Sequence, residues 1–261
     1  MKHAKQVGNK SYESDQMIKH APKEAIRLNK YISNSGYCSR READKLIEQG
    51  LVSIDGEVAL MGCKVTSGQE VKVKDDIISK QEHFVYILLH KPKGITCTTD
   101  LKDASNIVSY MNYNIPIFPI GRLDKETTGL IVLTNDGDIV NKILRPTNKH
   151  EKEYIVRVNK RITKDFIDNM RQGVTIYNAT TNAYQKTKPA IVKQIDRYTF
   201  SLIISEGMNR QIRRMCTKLN YHVDQLKRIR IMNLKLNDLE EGCWRYVSDE
   251  ELRILNSMIE E

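Results

Sequence analysis

The chain has 261 residues, which is enough for one large domain or for a large and a small domain, each with its own core. Hydrophobic residues make up 40% of it, and this excludes a chain that is disordered throughout. The formal net charge of +9 indicates a polyanionic partner, with nucleic acid as the first candidate and an anionic membrane surface as the second.

Cysteine usage and hydropathy narrow the class further. The five cysteines are scattered, form no CxxC pair and have no histidines at ligand spacing, so we expect neither a disulfide framework nor a metal site. No segment has the roughly eighteen unbroken apolar residues that a membrane helix needs, and the N-terminus lacks an apolar signal-peptide core. We therefore expect no membrane contact and a reducing, cytoplasmic location, with residues 1–24 as a flexible tail.

The first ordered unit is predicted over residues 25–75 and begins with two short helices. Apolar residues at helical spacing predict the first helix within residues 27–36. Ser39 followed three residues later by Glu42 forms a capping box, which predicts the start of the second helix, and Gly50 ends it.

A small sheet is predicted after these helices. The pair Asp55-Gly56 between alternating apolar residues is a strong hairpin signal, and residues 68–73 add a further strand. Residues 76–83 are polar and are predicted as a linker.

The second domain, residues 84–258, is predicted to mix strands and helices in an α+β fold with a mainly antiparallel sheet, because hairpins and helices both join its strands. The predicted strands are FVYILLHK (84–91), LIVLTN (130–135), KEYIVRV (152–158), YTFSLIIS (198–205) and LKRIRIMNLKL (226–236). The predicted helices are DIVNKILRP (138–146), ITKDFIDNMRQG (162–173) and EGMNRQIRRMCTKL (206–219).

Basic residues cluster on the two helices of the small unit. They are Arg27, Lys30, Arg40, Arg41 and Lys45. The N-terminus of the second helix already favours an anion, so these cations predict a phosphate-backbone grip. The alternative is that they are solvated charges on a small domain.

A second basic cluster lies on the predicted helix 206–219. Ile212 belongs to its apolar face, while Arg210, Arg214 and Lys218 recur every fourth residue on another face; Arg213 lies at the edge between them, and no acid intervenes. We expect this helix to pack on the sheet and to meet an anion, either RNA or DNA.

Residues 121–138, GRLDKETTGLIVLTNDGD, place Asp124 between an apolar approach and a buried strand. A phosphate loop is excluded because Gly129 leads into a strand instead of a helix. A calcium loop is excluded because most of its oxygen ligands are missing at their spacing. Two interpretations of Asp124 remain: a turn residue, or a catalytic carboxylate kept ionised by Arg122 or by an arginine of the basic helix.

Four ordered segments resemble the pseudouridine synthases of the branch that runs from small-subunit synthase A to large-subunit synthases B, E and F. They are KPKG (91–94), GRLDKETTGLIVLTNDG (121–137), KEYIVRV (152–158) and EGMNRQIRRMC (206–216). The N-terminal unit resembles the S4 RNA-binding domain. The resemblance covers the chain from about residue 25 to 255, and RLNKYISNSGYCSRREAD (27–44) is most similar to the F group.

The resemblance implies roles for individual residues. Asp124 matches the catalytic aspartate and Tyr154 the tyrosine that stacks on the uracil ring. Arg213 matches the basic residue that pairs with the aspartate, with Arg214 as the alternative if the alignment shifts by one residue, and Ile212 lines the pocket.

The implied reaction joins the uracil ring to ribose through C5 instead of N1, so it requires no cofactor. Asp124 is needed as nucleophile or as base, and the target uridine must leave its stack. The implied partner is 23S rRNA, with a tRNA anticodon uridine as a second target, and we expect a monomer. The alternative function is a non-catalytic RNA-binding or ribosome-assembly factor.

Overall fold

The computed structural model describes residues 2–8, 25–79, 83–144 and 150–260. Within these ranges the chain forms a small N-terminal module and a large domain built on one wide sheet. None of the described helices is both long and apolar enough to cross a membrane.

The first described strand belongs to the large sheet. Strand β1 (Lys5–Gln6) pairs in parallel with residues 243–244, and Val7 donates its N–H to a carbonyl of the same partner strand at 2.8 Å. The prediction of a flexible tail over 1–24 is therefore wrong at this point, because the sheet edge supplies hydrogen-bond partners for this backbone. Residues 9–24 lie outside the described ranges.

The N-terminal module contains the two predicted helices, the predicted hairpin and the predicted strand within residues 68–73, together with three further strands. In chain order these elements are β2 (Ile26–Arg27), α1 (Leu28–Asn34), α2 (Arg40–Glu48), β3 (Val52–Ile54), β4 (Glu57–Val58), β5 (Lys64–Val65), β6 (Val71–Val73) and β7 (Asp76–Ile78). The sequence does not predict β2, β5 and β7.

Local sequence signals explain where these elements begin and turn. Ser39 accepts a hydrogen bond from the Glu42 N–H at 3.3 Å, which confirms the predicted helix start, and Gly50 follows the helix end with φ +71°. Asp55 and Gly56 both have positive φ, as a two-residue hairpin turn requires, and β3 and β4 pair across them.

The module extends three residues further than the sequence predicts. Strand β7 pairs antiparallel with β6, and its last residue, Ile78, packs in the core of the module. The predicted linker over residues 76–83 therefore begins too early, because Ile77 and Ile78 alternate as a strand within a stretch that looks polar.

The large domain continues with eleven strands and five helices among the described residues. They are β8 (Tyr86–Lys91), α3 (Ile107–Met111), β9 (Phe118–Ile120), β10 (Thr128–Thr134), α4 (Gly137–Leu144), β11 (Lys152–Val158), α5 (Lys164–Gln172), β12 (Thr175–Asn178), β13 (Ala183–Lys186), β14 (Ile191–Gln194), β15 (Thr199–Ile204), α6 (Gln211–Lys218), β16 (Val223–Ile231), β17 (Leu234–Lys235), β18 (Cys243–Tyr246) and α7 (Asp249–Glu260).

The main sheet has the order β1-β18-β8-β10-β16-β11-β15-β14, with β9 pairing β10 and β17 pairing β16. Within this described sheet, β1/β18 and β10/β16 are the parallel pairs and the other pairs are antiparallel. The predicted α+β class with a mixed, mainly antiparallel sheet is confirmed. Strands β12 and β13 form a separate hairpin.

Both faces of the sheet are buried. One core contains residues of α3, α5 and α6, and the other contains residues of α4 and α7. Full burial of each such aliphatic or aromatic side chain contributes about 1.5–3 kcal/mol, so the central strands are the most firmly held part of the domain. Residues at their ends are therefore held in fixed positions.

The module contacts the large domain through α1. Lys30 forms an ion pair with Asp138 in the first turn of α4, and a Cβ at Gly137 would come within 2.9 Å of Asn34 Oδ1. The N-terminus of α2 faces the large domain across an open cavity.

Candidate active site

Asp124 lies in the loop that joins β9 to β10, and hydrogen bonds hold this loop around it. Leu123 is buried and donates its N–H to Cys97 Sγ at 3.3 Å. The Thr127 N–H donates to the Asp124 carbonyl at 3.0 Å, which closes a turn. The Asp124 side chain itself is 26% exposed, so its carboxylate is open to a ligand while its backbone is fixed.

A buried lysine also supports this loop, through hydrogen bonds to backbone carbonyls. Lys91, the last residue of β8, donates from Nζ to the carbonyls of Pro92 at 2.8 Å, Ile95 at 2.9 Å and Lys125 at 3.5 Å. An ammonium group has three donors, so this arrangement uses all of them. Burial lowers the pKa of Lys91 to about 8, which leaves it mostly charged at neutral pH.

The sheet fixes the other end of the loop. Gly129 has φ +106°, and a Cβ at this position would lie 2.2 Å from the Arg228 carbonyl oxygen on β16. Arg228 is 3% exposed and donates from Nε to the Leu130 carbonyl at 2.8 Å. Glycine is therefore required for β10 and β16 to approach this closely.

Tyr154 stands beside this junction. It lies on β11 directly opposite Arg228 in the antiparallel register, so the two side chains share one face of the sheet. Tyr154 is buried, yet it lines the same cavity as Asp124. An aromatic ring in that position can form the wall of a pocket for a planar base.

The ion pair of Asp124 comes from Arg210 instead of Arg213. Arg210 Nη1 lies 3.9 Å from Asp124 Oδ2. Arg210 is the N-cap residue of α6. Its φ of +52° is left-handed, so its backbone differs from that of the helical residues that follow. Both partners are partly solvated, so the pair adds at most about 1 kcal/mol.

Arg213 binds backbone instead. Its Nη1 donates to the Val223 carbonyl at 3.1 Å and its Nη2 to the Glu126 carbonyl at 3.2 Å. Burial, followed by the neighbouring Arg210, lowers the pKa of Arg213, and Asp124 opposes this shift. The predicted ion pair between Arg213 and Asp124 is therefore absent among the described residues, and Asp124 pairs with Arg210. Arg213 instead links the loop of Asp124 to the start of β16.

The predicted site residues form two groups, according to whether they line an open cavity of about 1720 Å³. Those that line it are Arg40, Arg41, Lys45, Arg122, Asp124, Tyr154, Arg210 and Ile212. Those outside its lining are Arg27, Lys30, Arg213 and Arg214. We call this space the central cavity; it lies between α2 of the module and the loop of Asp124.

Two of the outer residues have different contacts from those expected. Lys30 is a predicted phosphate contact, but its ammonium pairs with Asp138 in the first turn of α4. Arg214 donates to the Tyr177 carbonyl and to Asn209 Oδ1, which fixes the β12–β13 hairpin to α6.

The sequence-based site left out several basic residues that line the central cavity. They are Lys102, Lys125, His150, Lys152 and Lys188, together with Arg228 of the basic strand 226–236. Burial, with Arg228 as the second cause, lowers the pKa of Lys152. Strand alternation could have indicated Lys152 as a residue of the cavity, because it lies two residues before Tyr154 on the same face of β11.

Comparison with known proteins defines the class of the chain. The profile of the RNA pseudouridylate synthase family matches residues 85–218, and that of the S4 domain matches residues 26–77. The chain belongs to the pseudouridine synthase family and is an enzyme that isomerises uridine to pseudouridine in RNA. The expectation of an enzyme with an S4 RNA-binding domain is confirmed, against the alternative of a non-catalytic factor.

Two curated relatives refine this placement. The chain is 48% identical over 241 residues to "Dual-specificity RNA pseudouridine synthase RluF" of Escherichia coli (strain K12), covering 92% of this chain and 81% of the relative. It is 33% identical over 235 residues to "Ribosomal large subunit pseudouridine synthase B" of Bacillus subtilis (strain 168), covering 89% of this chain and 96% of the relative.

A solved structure agrees with the fold. A chain described as "Crystal structure of pseudouridylate synthase" superposes with a TM-score of 0.63 at 30% sequence identity, covering 88% of this chain and 99% of that chain.

Proposed function

We propose that Asp124 is the catalytic carboxylate of this synthase and that it acts on a uridine extruded from RNA into the central cavity. The observation that carries the proposal is the shared cavity wall. Asp124 and Tyr154, thirty residues apart in the chain, line one space, and Arg210 lies 3.9 Å from the carboxylate. An acid with an aromatic wall and a nearby cation is what a reaction on a planar base requires.

The chemistry balances without a cofactor. The bond from ribose C1′ to N1 of uracil breaks, the base turns, and a bond from C1′ to C5 forms. The C5 proton is lost and N1 gains a proton, so substrate and product are isomers. Asp124 serves either as the nucleophile that holds the sugar or as the base that starts an elimination.

Tyr154 and the exposed cations divide the work of binding. Extruding the uridine costs a few kcal/mol, and stacking on an aromatic ring returns on the order of 1–3 kcal/mol per base. Arg40, Arg41 and Lys45 line the central cavity opposite the loop of Asp124, so they can hold the phosphates that flank the extruded nucleotide. The S4 module thereby sets the position of the RNA backbone relative to the acid.

The proposed substrate is 23S rRNA, with tRNA as a second substrate. Support comes from the two relatives, one called dual-specificity and the other a large-subunit ribosomal synthase. We propose that the enzyme acts as a monomer in the cytoplasm. A single chain supplies Asp124, Tyr154 and Arg210 to the central cavity, so the site needs no second copy.

The decisive test compares wild type with Asp124→Asn on transcripts of 23S rRNA, with pseudouridine mapped by carbodiimide modification. We expect Asp124→Asn to lose product formation by roughly 10²–10⁴-fold or more while RNA binding is retained. Glu126→Gln is the matched control, because this carboxylate lies two residues further along the same loop, is exposed, and pairs with Lys93 at 2.7 Å. Equal loss in both variants would contradict the assignment.

A further inference from the structure

The β12–β13 hairpin presents an aromatic face to solvent beside the central cavity. Tyr177 and Tyr184 are directly opposite each other in its antiparallel register, with ring centroids 5.6 Å apart at 67°. Tyr184 is 74% exposed and Tyr177 is 41% exposed. Ile176, on the opposite face of β12, is buried in the core, so the tyrosine face points outward.

The charge of this segment suits a polyanion. Residues 174–188 contain Lys186 and Lys188 and no aspartate or glutamate. Lys186 lies two residues after Tyr184 on the same strand, so its side chain leaves from the same outward face. An exposed aromatic pair next to a lysine, in a segment without acidic residues, has the composition of a stacking platform for nucleic acid.

The hairpin is anchored to α6, the helix that Arg210 directly precedes. Arg214 on α6 donates to the Tyr177 carbonyl and to Asn209 Oδ1, next to Arg210. Beyond the hairpin, the Lys188 N–H donates at 2.9 Å to Glu206 Oε1, which also accepts from Gln211 Nε2 at 2.7 Å.

These contacts place the platform at the rim of the site. Gln185, which neighbours Tyr184 on β13 and faces the other way, lines the central cavity together with Asp124. An RNA strand whose uridine enters the cavity therefore passes close to the hairpin.

We propose that the face formed by Tyr177, Tyr184 and Lys186 is an RNA-binding platform that stacks an unpaired base near the target uridine, with Lys186 on the adjoining phosphate. The platform rests on the proposed function, because the RNA that it holds is the substrate of the Asp124 site. It extends the grip on RNA to a surface away from the S4 module.

The test uses steady-state kinetics on a 23S rRNA transcript. We expect Tyr184→Ala to raise KM about tenfold with kcat nearly unchanged, because one stacked base contributes that order of affinity. Tyr184→Trp keeps a stacking surface and should restore KM. Tyr198→Ala is the matched control: Tyr198 is 40% exposed and precedes β15, whereas the cavity-lining Ile204 ends that strand.

A second measurement does not depend on turnover. RNA substituted with 4-thiouridine is irradiated with Asp124→Asn protein, and crosslinked peptides are identified by mass spectrometry; we expect crosslinks to the hairpin. Lys186→Glu should weaken binding of the same RNA, while Lys193→Glu on β14 should not. If wild type forms no pseudouridine, the proposed function fails, but crosslinks at Tyr184 still support the platform.

Three outcomes overturn the platform. They are an unchanged KM for Tyr184→Ala, crosslinks confined to other segments, and a wild-type dimer that Tyr184→Ala converts to monomer. The last would show that this face binds a second copy of the chain. Melting temperatures close to wild type are expected for these variants because the side chains are exposed.

Discussion

The loop of Asp124 and the N-terminus of α2 face the same cavity but are held in opposite ways. Lys91 and Arg213 fix the loop through hydrogen bonds to the Lys125 and Glu126 carbonyls. Arg40 and Arg41 are exposed side chains on the first turn of a helix. One region fixes the position of a single acid, and the other supplies charge whose position can vary.

This difference follows from what each region does. A reacting carboxylate loses rate when it moves by about 1 Å, so its backbone must be over-determined. Attraction to a phosphate chain depends on charge and distance and tolerates several geometries. Substitutions in the loop supports should therefore change catalysis, whereas substitutions on α2 should change affinity.

The largest effect is expected at the contact between β10 and β16. Gly129→Ala places a methyl group 2.2 Å from the Arg228 carbonyl and strains a positive φ, so we expect a loss of about 3 kcal/mol in unfolding free energy, with loss of activity. Urea unfolding measures it. Gly68→Ala also strains a positive φ, +91°, but meets nothing within 4 Å. Equal destabilisation of both variants would show that the close approach is unimportant.

A smaller effect is expected from the arginine that ties down the loop. Arg213→Lys replaces the two guanidinium nitrogens that reach the Val223 and Glu126 carbonyls with a single ammonium nitrogen, so we expect kcat to fall by roughly 10- to 100-fold while KM changes by less than about threefold. Arg171→Lys is the control, because Arg171 also donates two hydrogen bonds to a carbonyl, that of Val192, between α5 and β14. A raised KM with unchanged kcat would instead make Arg213 an RNA contact.

The smallest effect at moderate salt is expected on α2. Arg40→Ala with Arg41→Ala should reduce the slope of log Kd against log salt by about 2, since each lost phosphate contact removes about 0.9. Filter binding between about 50 and 200 mM salt with Asp124→Asn protein measures this slope. Arg27→Ala with Lys64→Ala is the control, because these two residues pair on β2 and β5 outside the cavity lining. A slope reduced equally by both pairs would mean that the grip is general charge.

Local chemistry predicted much of this fold. Ser39 with Glu42 and Asp55 with Gly56 act over two to four residues, and both signals gave the observed structure. The role of Lys91 was not predictable in the same way. Its three carbonyl acceptors come from loops that only the folded sheet brings together.

The ion-pair partner of Asp124 shows the same limit of prediction from local sequence. Helical spacing places Arg210 and Arg213 three residues apart in one helix, and the choice of Arg213 as the partner came from the family resemblance. In the structure Arg210 precedes α6 in a left-handed conformation, and this single backbone angle separates the two side chains. A spacing rule cannot detect that change, because it assumes that the helix has already begun.

Strand β1 has a consequence for the order of folding. Residue 5 pairs with residue 243, so this edge of the sheet can close only after nearly the whole chain has left the ribosome. Until then the backbone groups of β18 on that side stay open to solvent. Strand β1 therefore joins the sheet only after β18, which is synthesised more than two hundred residues later.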